Sequence, residues 1–175
     1  ITVEQKIRRK YPYSELASQL IGFTNVNNNG IIGIESKFNN LLSGESKKIN
    51  LNHKKMMPIN SNQTLPNKGS DIILTLDINL QTILQDELNN SLIKTGATTG
   101  NGVIVDPFSG EILAMATVPS LDLNNYQNYP IEYQQNKVIS DMYEPGSTFK
   151  IVAMTAKLEM LDEYNNQVYD CENGS

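Results

Sequence analysis

A chain of 175 residues can hold one domain or two partial ones, and a hydrophobic content of 39% is enough to build a core. The net charge of −5 and pI near 4.9 leave no basic face to neutralise phosphates, which excludes nucleic acid as a partner. The single cysteine, Cys171, rules out an internal disulfide, and the single histidine, His53, has no companion ligands, so neither a metal site nor another cofactor is expected.

In chain order, Lys6, Arg8, Arg9 and Lys10 form a basic run that reads as a solvated surface. Leu16, Ala17, Leu20 and Ile21 have helical spacing, and Gly22 suits a stop. Residues 27–30 are a turn, and Phe38, Leu41 and Leu42 again have helical spacing before Ser43 and Gly44. Residues 45–68 are polar, with Pro58 and Pro66, and read as a loop, exposed hairpin or linker; a domain boundary is expected near residue 66. Residues 71–76 are a short β-like run. Asp77 can cap a helix whose Leu80, Ile83, Leu84, Leu88 and Leu92 form one core-facing stripe, closed by Gly96.

Two apolar runs, 102–105 and 111–118, flank the turn Pro107-Phe108-Ser109-Gly110 and predict an antiparallel hairpin with strands covered on both faces. Pro119 ends the second strand. Residues 121–131 read as an Asn/Tyr-rich loop, and residues 169–172 as the start of another extended segment. The ends, Ile1 and Ser175, read as cut, so the chain is expected to be a fragment, and the absence of a membrane segment in it says nothing of location.

The chain is organised around Glu144-Pro145-Gly146-Ser147-Thr148-Phe149-Lys150. Pro145 and Gly146 fit a sharp turn into a helix, and Ser147 and Lys150, three residues apart, fall on one face of it. Free N–H groups in the first turn can stabilise an oxyanion. The following Ile151-Val152-Ala153-Met154-Thr155-Ala156 is apolar almost all round, as a buried central helix would be; a lysine rooted there would lose hydration and act as a neutral base. The spacing S-x-x-K alone is weak, since about one match is expected by chance in such a sequence. Ser91 and Lys94 form such a match, at the end of an ordinary amphipathic pattern, and read as a solvated helix end.

This motif resembles the active-site motif of class B penicillin-binding proteins, the D,D-transpeptidases that cross-link peptidoglycan. Other stretches match in order. Tyr11-Pro12, Leu20-Ile21-Gly22-Phe23, Gly30-Ile31-Ile32-Gly33-Ile34-Glu35 and Leu41-Leu42-Ser43-Gly44 resemble the non-catalytic pedestal domain. Leu74-Thr75-Leu76-Asp77 with Leu80-Gln81, and Asp106-Pro107-Phe108-Ser109-Gly110-Glu111-Ile112-Leu113-Ala114-Met115-Ala116 followed by Pro119-Ser120, resemble the opening of the transpeptidase domain.

The resemblance implies the N-terminal part of an α/β (α+β) penicillin-binding transpeptidase fold, an antiparallel sheet covered by helices. Residues 1–65 would be a partial, mixed pedestal domain of the dimerisation type, and residues 66–175 the start of the transpeptidase domain. Ser147 would be the nucleophile, Lys150 would take its proton, and the Ser147 backbone N–H would form half of the oxyanion hole. The implied partners are peptidoglycan stem peptides or their lipid-linked precursor, β-lactam antibiotics, and membrane proteins of the divisome or elongasome. The implied place is the extracytoplasmic, periplasmic side of the cell membrane, with an anchoring N-terminal helix outside this sequence; the pedestal stretch leans to the division type.

One departure stands out. The family's later S-x-N is absent, and the one K-T-G, Lys94-Thr95-Gly96, precedes the nucleophile and reads as a helix cap. The fragment alone is therefore expected to be inactive. The alternatives are a class D β-lactamase or β-lactam sensor domain, which residues before 66 disfavour, a non-catalytic binding module of the same fold, and, less favoured, a class A bifunctional enzyme.

Overall fold

The computed structural model describes residues 8–44 and 68–160. The chain divides into two compact units, Ile1–Asp141 and Met142–Ser175. The expected boundary near residue 66, the polar stretch 45–67 and the tail 169–172 lie outside the described residues.

In the first unit the chain opens with three short helices, α1 (Ser18–Ile21), α2 (Gly33–Lys37) and α3 (Asn39–Leu42). Gly22 closes α1, as its sequence position predicts. The basic run is not wholly solvated: the Arg9 guanidinium grips Glu35 of α2 through Nε–Oε1 at 2.8 Å and Nη2–Oε2 at 3.3 Å. Glu35 is only 6% exposed. The bidentate bond to Glu35 raises the Arg9 pKa, outweighing the desolvation that opposes it.

The long helix α4 (Ile78–Thr95) starts where Asp77 accepts hydrogen bonds from the N–H groups of Asn79 and Leu80, and ends at Gly96 in the left-handed region. Its inward side is the expected one at Leu80, Leu84, Leu88 and Leu92, all half-buried, but not at Ile83. Gln81 and Gln85 are its buried residues, whereas Ile83 is 57% exposed. The reason lies in the groups that α4 meets. Gln81 Nε2 donates to Met115 O and to Gln85 Oε1, and its Oε1 accepts from Met115 N–H at 2.8 Å. Gln85 accepts from Ala17 N–H and donates to Glu15 O. These backbone groups need partners once buried, and an amide supplies both a donor and an acceptor.

The hairpin forms as predicted. Strand β1 (Gly100–Val105) runs antiparallel to β2 (Ile112–Val118), with Gly100 opposite Val118 and Ile104 opposite Ala114. Asp106 sets the turn by accepting from the Phe108 N–H, and that bond holds its carboxyl below the usual aspartate range. Covering of both faces holds for β2, buried from Ala114 to Val118. It fails for β1, where Val103 and Val105 are 41% and 47% exposed. Helix α4 covers one face, approaching so closely that a Cβ on Gly102 would lie 2.7 Å from Leu84 Cδ1.

Residues 71–76 form no regular strand, although Ile72, Leu74 and Leu76 alternate with exposed neighbours. The segment is tied to β2 near its end, by Thr75 Oγ1 to Ile112 O and Asp77 N–H to Leu113 O. The expected loop after Pro119 is also more than a surface connection. Leu121 and Leu123 are buried against Phe23, and Tyr126 stacks on Phe23 with ring centroids 3.7 Å apart. The chain then passes through α5 (Lys137–Ser140). The second unit holds a 3₁₀ turn, Gly146–Phe149, and helix α6 (Lys150–Met160).

Candidate functional site

The motif that the sequence singles out is a turn running straight into α6. Pro145 is in the right-handed region, and Gly146 follows at φ +52°. That left-handed step suits glycine, because an L side chain there is strained. The Thr148 N–H donates to Pro145 O at 3.1 Å, and the Thr148 hydroxyl donates to the same carbonyl. The turn is thus closed twice by one residue.

Ser147 lies in the 3₁₀ turn, one step ahead of the α-helix rather than inside it. The Lys150 N–H is shared between Ser147 O and Thr148 O, so the two motif residues are joined through the backbone. Ser147 is in the turn, and Lys150, three residues on, is the first residue of α6. No side-chain hydrogen bond links Ser147 to Lys150 among the described residues.

The expected burial of α6 is corrected by the structure. Ile151 is 71% exposed, Val152 and Met154 are each 55%, and Met160 is 85%. The apolar sequence is there, but the described residues do not supply the cover that would desolvate an amine at its head. An open apolar pocket of about 280 Å³ lies in the first unit, lined by Tyr11, Leu16, Leu74, Leu76 and Gln81, and no motif residue lines it.

Both decoys resolve as structure. The Ser91 hydroxyl donates to Glu87 O within its own helix. Lys94 and Thr95 are the last residues of α4, and Gly96 is its cap at φ +72°. Among the described residues no group of three or more His, Cys, Asp or Glu is placed to hold a metal. His53 and Cys171 lie outside the described residues.

Residues 100–175 match the family of the penicillin-binding protein transpeptidase domain. The peptidoglycan D,D-transpeptidase FtsI of Escherichia coli K12 is 37% identical over 159 residues, 89% of this chain. The FtsI of Buchnera aphidicola subsp. Schizaphis graminum is 40% identical over 155 residues, 87% of this chain. Over most of its length the chain is thus homologous to penicillin-binding D,D-transpeptidases. It spans 27% of the length of each of these two relatives. Its fold is that of the family: penicillin-binding protein 3 of Mycobacterium tuberculosis, solved in complex with aztreonam, superposes with a TM-score of 0.67 at 28% identity, covering 86% of this chain and 31% of that one.

Sequence reasoning did not foresee that Gln19 and Gln81 would be buried amides bonded to backbone groups. In the sequence they read as polar positions in short amphipathic patterns. A signal was present in α4, where Gln81 and Gln85 stand i, i+4 on the face shared by Leu84 and Leu88.

Proposed function

We propose that the full-length protein carrying this chain is a serine D,D-transpeptidase of peptidoglycan, with Ser147 as nucleophile. The observation that supports the reading is the turn at Gly146, which leads through Ser147 directly into an apolar helix that begins at Lys150. Lys150 Nζ accepts the hydroxyl proton as Ser147 Oγ attacks the carbonyl of a D-Ala–D-Ala bond. The bond to the terminal D-Ala breaks, its nitrogen takes a proton, and an acyl-enzyme ester remains. The Ser147 N–H supplies half of the oxyanion hole. The amine of a second stem peptide then attacks the ester, forming the cross-link and freeing Ser147.

Residues 1–65 are read as part of a pedestal domain and residues 66–175 as the start of the transpeptidase domain. The substrates are stem peptides or their lipid-linked precursor, and β-lactams acylate the same serine. The reading places the protein on the outer side of the cell membrane with divisome or elongasome proteins, a division role being preferred. In this reading the S-x-N and late K-T-G that complete the pocket belong to the remainder of the protein, and the bare chain is inactive.

The test is labelling with a fluorescent penicillin. The full-length protein should form a long-lived adduct that Ser147→Ala abolishes, and the bare 175-residue chain should not label. Undiminished labelling of Ser147→Ala would overturn the assignment of the nucleophile. Rapid turnover of the β-lactam would favour a β-lactamase instead.

A further inference from the structure

The turn between α1 and α2 carries a dipeptide with chemistry of its own. An asparagine followed by glycine is prone to lose its side-chain amide, because a residue without a Cβ leaves its backbone nitrogen open to the asparagine Cγ. Three such pairs occur in the sequence, Asn29-Gly30, Asn101-Gly102 and Asn173-Gly174. The first two lie among the described residues.

Their surroundings differ. Asn101 and Gly102 lie within β1, opposite Thr117 and Ala116 of β2. The ladder holds that backbone extended, and a five-membered ring needs it out of the strand conformation. Asn29 instead sits exposed in a turn organised by Asn25. Its N–H donates to Asn25 Oδ1 at 3.0 Å, and its carbonyl accepts from the Asn25 N–H at 2.8 Å. The next N–H, that of Gly30, donates to Asn39 Oδ1 at 2.8 Å. Asn39 opens α3, so a side chain from another element holds the nitrogen that would attack Asn29 Cγ.

The reaction balances without any further reagent than water. Gly30 N gives up its proton and bonds to Asn29 Cγ, the Cγ–Nδ2 bond breaks, and ammonia leaves. Water then opens the cyclic imide at one carbonyl or the other, leaving aspartate or isoaspartate. Deprotonating Gly30 N turns its hydrogen bond into a contact between two lone pairs, so Asn39 Oδ1 disfavours the reactive form. Isoaspartate lengthens the main chain by one carbon, beside a glycine so tightly packed that a Cβ on it would lie 1.9 Å from Glu35 O. The modification therefore disturbs the entry to α2.

We propose that Asn29 is a site of spontaneous deamidation, and that Asn39 restrains it by holding the Gly30 N–H. Removing the acceptor should speed the reaction about fivefold, the factor that one net hydrogen bond represents.

The experiment incubates the full-length protein in mildly alkaline buffer and follows both dipeptides by peptide mass mapping, with thermal midpoints measured alongside. Wild-type protein should convert at Asn29 faster than at Asn101. Asn39→Ala should convert about fivefold faster at Asn29, with Asn101 unchanged. Asn39→Asp keeps an acceptor and should convert no faster than wild type. Should Asn39→Ala not fold, Asn39→Ser takes its place, since its shorter side chain withdraws the acceptor and still suits a helix start. Conversion at Asn29 no faster than at Asn101 in the wild type overturns the site. An unchanged rate at Asn29 on removing the acceptor, equal acceleration at both dipeptides, or acceleration by Asn39→Asp overturns the restraint.

Discussion

At the scale of single residues, Gly146 decides the geometry of the motif. Its φ of +52° lies where a Cβ is strained, yet nothing lies within 4 Å of the position that a Cβ would take. Space is therefore not the constraint; backbone conformation is. Gly146→Ala should cost about 1–2 kcal/mol in the local turn, the price of a left-handed residue with a side chain. The chain can avoid that cost by straightening the turn, which displaces Ser147 from its place at the head of α6. We expect slowed acylation by a fluorescent penicillin with nearly unchanged global stability in the full-length protein. Unchanged acylation would show that the left-handed step is dispensable. The sequence made this residue legible, because Pro-Gly before a hydroxyl and a lysine is a turn with a mechanism. It did not make the Thr148 hydroxyl legible, whose bond to Pro145 O doubles the closure.

At the scale of elements, what periodicity reveals and what it hides are both seen in α4. Its start, end and length were readable from Asp77, the leucine repeat and Gly96. Which side it turns inward was readable from Leu84, Leu88 and Leu92, but not that two amides are its most buried residues. A hydrophobicity pattern sums apolar residues, so it favoured Ile83, which the structure leaves 57% exposed. It discounted Gln81, 1% exposed, because it cannot see that the facing strand presents unpaired peptide groups. Gln81→Leu keeps the volume and removes both bonds to Met115. Buried backbone N–H and C=O left without partners cost about 1–3 kcal/mol each, so the variant should be destabilised by several kcal/mol despite its higher hydrophobicity. Chemical denaturation of the full-length protein checks this; a neutral or stabilising result would mean that α4 shifts to bury the leucine. The hairpin shows the same limit. Asp106 and Gly110 made its turn readable, but apolar runs could not reveal that Val103 and Val105 have one open side in the first unit.

At the scale of the whole molecule, the two stretches that resemble separate domains share one core. Phe23, from the stretch that resembles the pedestal, is 2% exposed and packs with Leu121 and Leu123, from the stretch that resembles the transpeptidase. Neither stretch could bury these side chains alone, since each supplies the other's wall. No local pattern shows this, because the partners lie about a hundred residues apart in sequence, and periodicity is blind to pairing at that range. The consequence is cooperative unfolding across the first unit. Phe23→Ala removes a fully enclosed ring that stacks on Tyr126, and such truncations cost about 3–5 kcal/mol. If residues 8–44 were an independently stable layer, the loss would stay local. With a shared core, amide hydrogen exchange in the variant full-length protein should speed up together in α1 and in β2, from Ser18 to Ile21 and from Ala114 to Val118. Protection lost in α1 but retained in β2 would show that the shared core is a contact between two separately stable bodies.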